Sequence, residues 1–253
     1  MYASERQQAI LGRARSEGRV EVNSLADVFD VTPETIRRDL TGLERRGVLR
    51  RVHGGAIPVD RLGVEPAVEE RYRVNAVLKE RIAKAALDQL PDGGSIIIDA
   101  GTTTVRFAEM LPADRSYTVV THALPIAGLL AGHGNITLHL VGGQVRPGTL
   151  AAVGGWAERD LAEIFADVLF GGTNGVSASR GLTTPDVAEA SIKRALIRSA
   201  RRTVVLADHS KFGRDEFAHF ADLSEVDTII TDSEVDLDMV REIEDAGPEV
   251  IRV

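Results

Sequence analysis

The chain has no cysteine. Disulfides, thiolate metal sites and cysteine nucleophiles are thereby excluded, and the six histidines are scattered without metal-ligand spacing. No cofactor or metal is expected. Long hydrophobic runs are missing too. The longest weakly polar stretch, Val119 to Gly132, is interrupted by Thr121, His122 and Pro125 and is too short to span a bilayer. Met1 to Gly12 carries Glu5 and Arg6 and lacks the apolar centre of a signal peptide, so no membrane partner and a cytoplasmic location are expected. Internal repeats and low-complexity tracts are likewise absent. What remains is ordinary globular composition, 43% apolar and 27% charged. At 253 residues the chain reaches the length where single cores stop growing, which predicts two domains.

A net charge of -8, spread evenly, would argue against a nucleic-acid partner. It is not spread evenly. Residues 1–56 hold 10 arginines against 8 acids, a balance of +2, whereas residues 57–253 hold 20 basic and 30 acidic residues, a balance of -10. From Arg37 to Arg51, six arginines stand against Asp39 and Glu44. A solvated basic face would have the same composition, so geometry must decide.

Ser4-Glu5-Arg6-Gln7 reads as a capping box opening a helix that runs to Ser16 and stops at Gly18. Val20 and Val22 suit a short extended segment. Asn23 or Ser24 can cap a second helix that must end before Val31-Thr32-Pro33. Thr32 as N-cap and Pro33 at the first helical position open a third helix, closed by Gly47. Ile36, Leu40 and Leu43 then share one face, at i, i+4 and i+7. Glu34, Arg38, Thr41 and Arg45 lie opposite, with Arg37 on the flank. A short turn between two helices, followed by an amphipathic helix with exposed arginines, is how a helix enters the DNA major groove; Thr35, Arg37 and Arg38 are placed to reach base edges. Val48 to Val52 reads as a strand that His53-Gly54-Gly55 turns back into Ala56-Ile57, a small wing. Arg50 and Arg51 would sit there beside phosphates, and His53 is either a wing-tip contact or a solvated turn residue. These elements predict a winged helix-turn-helix over 1–57 that binds double-stranded DNA.

The string Val31-Thr32-Pro33-Glu34-Thr35-Ile36-Arg37-Arg38-Asp39-Leu40, with Leu43, Gly47 and Arg51-Val52-His53-Gly54-Gly55-Ala56, resembles the DeoR family of bacterial sugar-metabolism regulators.

Residues 58–68, with Pro58, Gly63 and Pro66, read as a linker to a second domain over 69–253. A helix from about Glu69 to Leu90 should follow. Strand-like runs then alternate with helical patterns: Ser95 to Asp99, Tyr117 to Thr121, Asn135 to Val141, Ala166 to Phe170, Thr203 to Asp208, Asp227 to Thr231 and Glu249 to Val253. That alternation predicts an α/β domain with a mainly parallel sheet and helices on both faces. Ligands bind such sheets at the carboxyl ends of the strands. Asp99-Ala100-Gly101-Thr102-Thr103-Thr104 follows one strand and opens a helix, where exposed amides and hydroxyls suit a phosphate and Gly101 permits an unusual backbone turn. A plain threonine-capped helix start is the alternative. Thr121-His122, Gly142-Gly143, Gly172-Thr173-Asn174-Gly175 and Asp208-His209-Ser210-Lys211 add polar groups at other strand ends. Pro185 should stand in the first turn of a helix whose apolar stripe runs beside Lys193; that lysine either reaches over the pocket or snorkels into water.

Ile98-Asp99-Ala100-Gly101-Thr102-Thr103, Val141-Gly142-Gly143, Gly181-Leu182-Thr183-Thr184-Pro185-Asp186, Lys193-Arg194-Ala195 and Leu206 to Gly213 also resemble the DeoR family. The resemblance implies a sensor domain similar to ribose-phosphate isomerases that binds a phosphorylated sugar as inducer. It places Asp99, Gly101, Thr102 and Thr103 at the phosphate and Asn174, Lys193 and Lys211 near the sugar. The polar strand end at Thr121 joins the expected effector set. Where relatives commonly have Thr-Asn-Ser, this chain has Thr121-His122-Ala123. Met1 to Gln8 and the Thr184-Pro185-Asp186 loop are also similar to actinobacterial regulators of fructose-uptake operons, which implies fructose 1-phosphate. A homodimer or homotetramer is expected, because operators present two half-sites. An isomerase fused to a DNA-binding module, using Asp99, Glu189 and Lys211 as acid-base groups, ranks below a non-enzymatic regulator: a Gly-rich lysine-bearing loop shapes the active site of those isomerases, and the matching stretch here is Gly181-Leu182-Thr183-Thr184. An architectural DNA binder would leave the polar strand ends unexplained.

Overall fold

The computed structural model describes residues 3–46, 48–52, 54–58 and 68–253. It divides into two units, Met1–Val64 and Glu65–Val253. Gly47, His53 and residues 59–67, which hold most of the expected linker, lie outside the described residues, as do the side chains of Ser4 and Arg50.

In the first unit, α1 (Ala3–Glu17) and a two-residue strand, β1 (Val20–Glu21), lead directly into α2 (Val22–Phe29) and α3 (Pro33–Arg45). A hairpin of β2 (Leu49–Val52) and β3 (Gly55–Pro58) completes it, with β3 between β1 and β2 in an antiparallel sheet. Ile10, Ala14, Leu25, Ile36, Leu40, Leu43 and Leu49 close one core. Pairing between β1 and β3 is tight enough to demand glycine, since a Cβ on Gly55 would lie 1.9 Å from the Val20 carbonyl oxygen. Two local expectations are corrected. Helix α1 begins at Ala3, so Ser4 stands inside it, and the Gln7 amide closes no capping box: it donates to Asp39 and accepts from Arg46, each at 2.9 Å. Neither Asn23 nor Ser24 caps α2, because strand pairing holds Glu21 extended and the helix starts at the next residue.

The second unit opens with α4 (Val68–Arg73) and α5 (Ala76–Ala86). The single helix expected over 69–90 is broken at Asn75, which takes the left-handed conformation (φ 54) while its amide donates to Asp208 at 2.9 Å. There follow β4 (Gly94–Ile98), α6 (Thr102–Glu109), β5 (Tyr117–Thr121), α7 (Leu124–Leu130), β6 (Ile136–Leu140), β7 (Gln144–Arg146), β8 (Ala151–Val153), α8 (Gly155–Ala162), β9 (Ala166–Gly172), β10 (Gly175–Ser177), β11 (Gly181–Thr184), α9 (Val187–Arg198), β12 (Ala200–Leu206), β13 (Ala218–Ala221), β14 (Thr228–Thr231), α10 (Leu237–Glu244) and β15 (Glu249–Arg252). The seven expected strands form one sheet in the order β15-β14-β12-β9-β4-β5-β6, parallel at every pairing. Alternate residues of β4 serve opposite faces: Ile96 and Ile98 join the core under α5, α6 and α7, Ile97 the core under α8 and α9. The β7–β8 hairpin and the antiparallel sheet β10-β11-β13 fall outside the alternation pattern, their strands being three or four residues long. Pro185 precedes α9 rather than entering it, because Asp186 is the N-cap and accepts from the Glu189 amide. Among the described residues, no helix is long and apolar enough to cross a membrane.

Candidate functional site

The DNA-facing candidates lie on α3. Thr32 caps the helix, its oxygen accepting from the Thr35 amide, and Pro33 occupies the first position. Ile36, Leu40 and Leu43 are buried, and Glu34, Arg37, Arg38 and Arg45 are exposed, with Thr35 and Thr41 half-buried. Arg37 pairs with Glu34 at 3.3 Å across one turn. Arg38 and Arg45 form no ion pair among the described residues. Arg51 does not simply flank the helix from the wing. It donates to the Thr41 hydroxyl (3.2 Å) and its amide donates to Glu44 (3.0 Å), so it fastens β2 to α3. The second fastening was not anticipated. Asp39 is buried within the apolar stripe and receives Arg6, itself buried, at 2.5 Å and Gln7 at 2.9 Å.

In the second unit the strand order reverses between β4 and β9, and the loops after these strands diverge there. Asp99, at the end of β4, is 2% exposed. One carboxylate oxygen accepts from the Ala100 amide (2.8 Å) and lies 2.9 Å from His122 Nε2; the other accepts from Lys193 (2.5 Å) and the Gly172 amide (2.9 Å). Burial alone would raise its pKa, but the Lys193 ammonium and the His122 ring outweigh burial and hold the carboxyl far below the usual range. Lys193 also donates to the Gly172 carbonyl, so it neither snorkels nor reaches out as a free cation. His122, the departure from the family pattern, fills the remaining space with Nδ1 2.8 Å from the Ala152 carbonyl oxygen. The Thr121 hydroxyl donates to the Ile98 carbonyl, and its oxygen accepts from the Ala123 amide. Thr121 therefore ties β4 to β5.

Helix α6 starts directly after this cluster. Gly101 is extended (φ 167), so glycine is not needed there for an unusual turn; a Cβ would instead come 3.1 Å from the Thr104 hydroxyl. No side chain caps α6, and the first helical bond runs from the Val105 amide to the Gly101 carbonyl, leaving the Thr102, Thr103 and Thr104 amides without helical acceptors. Asn174 accepts from Thr184 at 3.0 Å. Glu189 is buried and engaged by Arg146 at 2.9 Å and by Thr149. Both carboxylates of the acid-base set, Asp99 and Glu189, are thus already paired with cations.

Lys211, half-buried, belongs to a second polar cluster that includes residues the sequence reading missed. Asp208, at the end of β12, accepts from Asn75 and Ser210; burial would raise its carboxyl, but Lys211, the Ser210 hydroxyl and Lys79 lower it overall. Lys79 is 5% exposed and donates to the Arg71 carbonyl at 2.6 Å. Burial, opposed by Asp208 and reinforced by Lys211, Arg71 and Arg106, brings Lys79 down to about 8. Burial likewise lowers Lys211. The signal for Lys79 was present: it lies at the start of the stripe Lys79, Ile82, Ala83 and Ala86, at i, i+3, i+4 and i+7. Buried Lys79 and half-buried Lys211 share the buried carboxylate of Asp208, with Glu216 also acting on Lys211, and a phosphate could join such a lysine pair as a further counter-charge. It follows that affinity for a phosphorylated ligand should fall as pH rises from 7 through about 8, since Lys79 loses its proton there while phosphate, with its second pKa near about 6, stays fully charged. Calorimetric titrations at pH 7 and 9 check this; equal affinity at both would remove Lys79 from the site.

A helix-turn-helix with an exposed arginine face in one unit and a sheet edge carrying lysines in the other are the parts that a ligand-responsive DNA-binding regulator needs. The comparisons agree. The DeoR-like helix-turn-helix domain matches residues 6–61 and the DeoR C terminal sensor domain matches residues 74–233. The chain belongs to the DeoR family of transcriptional regulators. It is 39% identical to the HTH-type transcriptional regulator GlpR of Haloferax volcanii, over 99% of this chain and 98% of the relative. It is 37% identical to the uncharacterized HTH-type transcriptional regulator FruR of Bacillus subtilis, over 92% of this chain and 93% of the relative, and 30% identical to the glycerol-3-phosphate regulon repressor of Escherichia coli K12, over 92% of each. Among solved structures, ribose 5-phosphate isomerase A from Methanocaldococcus jannaschii aligns over 55% of each chain with 20% identity and a TM-score of 0.41.

Proposed function

We propose that this protein is a cytoplasmic repressor of a sugar uptake and catabolism operon, acting as a symmetric oligomer and released from its operator by a phosphorylated sugar. The observation that carries the reading is the pair of lysines, buried Lys79 and half-buried Lys211, around the buried Asp208, at the same sheet edge as the uncapped start of α6. The phosphate lies against these cations and the Thr102 and Thr103 amides, while Asn174 and the Asp99–Lys193 pair order the loops around the sugar. Fructose 1-phosphate is the inducer we favour. The resemblance to fructose-operon regulators supports it, and a relative named FruR is in keeping with it. The ligand must bind the DNA-free form more tightly, since only differential affinity shifts an equilibrium.

Two outcomes test this. With fructose 1-phosphate, ribose 5-phosphate, glycerol 3-phosphate and inorganic phosphate as probes, fructose 1-phosphate should raise the melting temperature most. Lys211→Ala should weaken its binding by roughly 10- to 150-fold, the worth of a hydrogen bond to a charged group, with operator affinity retained. Unchanged affinity in Lys211→Ala would place the sugar elsewhere. On α3, Arg38→Ala should either lower binding to every DNA sequence, as a phosphate contact does, or relax specificity at one base pair by about 1–3 kcal/mol. A gel-shift series in which neither changes would remove Arg38 from the interface.

A further inference from the structure

The second unit carries an excess of negative charge, yet between Ser116 and Ala157 Arg146 is its one Asp, Glu, Lys or Arg. At the chain average of 27% those 42 residues would hold about eleven. Arg146 itself turns inward, to Asp186 at 3.2 Å and Glu189 at 2.9 Å. Part of this charge-poor run is core, including Val119, Val120, Ile126 and Leu130, but part of it is surface. It builds β6, an edge strand of the seven-stranded sheet, with Thr137, His139 and Leu140 exposed. Soluble proteins guard such edges with lysine, proline or a covering element, and β6, Ile136-Thr137-Leu138-His139-Leu140, has neither residue.

Around the carboxyl end of β6 the run also exposes Leu124, Val145, Leu150 and Trp156, with Leu140 itself half exposed. The fold gathers them. Leu140 is in register with Thr121, three residues before Leu124; the Leu124 amide donates to the Leu150 carbonyl at 2.9 Å; Val145 lies within β7 and Leu150 in the turn that joins β7 to β8. A Cβ at Gly143 would touch Ala157, next to Trp156. Contiguous exposed apolar surface of this kind marks an interaction site. An uncharged, self-complementary face suits a second copy of this chain, because two copies of an acidic unit repel through any charged face, and a two-fold axis brings the same patch to both sides. We infer that β6 and the apolar cluster of Leu124, Leu140, Val145, Leu150 and Trp156 form the face through which two copies associate. The hairpin that supplies Val145 and Leu150 is also held by Arg146 and Thr149 to Glu189 and by Arg71 to the Gly148 carbonyl, so the interface is continuous with the candidate effector site.

The inference rests on the reading that the protein acts as an oligomer, and the test separates the two. Native mass spectrometry and sedimentation velocity of the full chain should show an even-numbered oligomer, and Leu140→Lys with Val145→Lys should halve its mass while circular dichroism and sensor ligand binding stay unchanged. In the cysteine-free chain, His139→Cys should form an intermolecular disulfide under mild oxidation, a readout independent of any loss of folding. A monomeric wild type would overturn both the oligomer and this face. An oligomer that keeps its mass in the lysine variant and gives no disulfide would overturn the face alone, and point to a different partner for it.

Discussion

Asp99→Ala is expected to lower the stability of the sensor unit by about 3–5 kcal/mol, a drop in melting temperature on the order of 10 °C for a domain of this size. The reason is what remains behind. Lys193 is 7% exposed and sits on the Gly172 carbonyl, so removing the carboxylate strands an ammonium that water cannot reach, and the Gly172 amide loses its acceptor as well. Lys193→Met in the same background should restore most of the loss, because two apolar side chains of similar volume leave no uncompensated charge. Denaturant unfolding of the wild type, the single variant and the double variant measures this directly. Asp99→Ala within about 1 kcal/mol of wild type would mean that the pair is relaxed by water and contributes little.

Asp39→Ala should be as damaging in the smaller unit and should abolish operator binding without touching DNA. It leaves Arg6 buried and unpaired between α1 and α3 and frees Gln7 from its partner. A unit of about 60 residues has little stability in reserve, so a loss of about 3–5 kcal/mol unfolds it. The sensor unit has its own cores, and its ligand-induced thermal shift should survive. Arg6→Met with Asp39→Leu should regain the fold and operator binding. If Asp39→Ala alone binds operator with wild-type affinity, the Arg6–Asp39 contact does not hold the recognition helix in place.

Asp39 and Lys79 also show where sequence reading succeeds and where it stops. Apolar spacing placed α3 and all seven strands of the large sheet, because burying a face requires a period that the residues must display. In α3 the buried positions are Ile36, Asp39, Leu40 and Leu43, and in α5 they are Lys79, Ile82, Ala83 and Ala86. The same i, i+3, i+4, i+7 ladder holds in both, with one rung charged. A charged rung reads as an interruption unless its surroundings are known: the partner of Asp39 is 33 residues away, and Lys79, which donates to the Arg71 carbonyl, feels the charge of Asp208 from more than a hundred residues away. The break at Asn75 was hidden for the same reason, since its amide finds Asp208 only after β12 is in place. Lys193 was placed on the correct helix but its pairing with Asp99 was not foreseen, because helical periodicity says which face a residue occupies and nothing of what that face meets.

The strand order has a further consequence, for the route by which the chain folds. β4 lies between β5 and β9, and β9 begins at Ala166, long after β6 ends at Leu140. During synthesis β4, β5 and β6 can associate first, while the other half of the sheet does not yet exist. Parallel pairing across such separations is intrinsically slow to close, so the joining of β9 to β4 is the step of sheet assembly that depends most on the order of the strands.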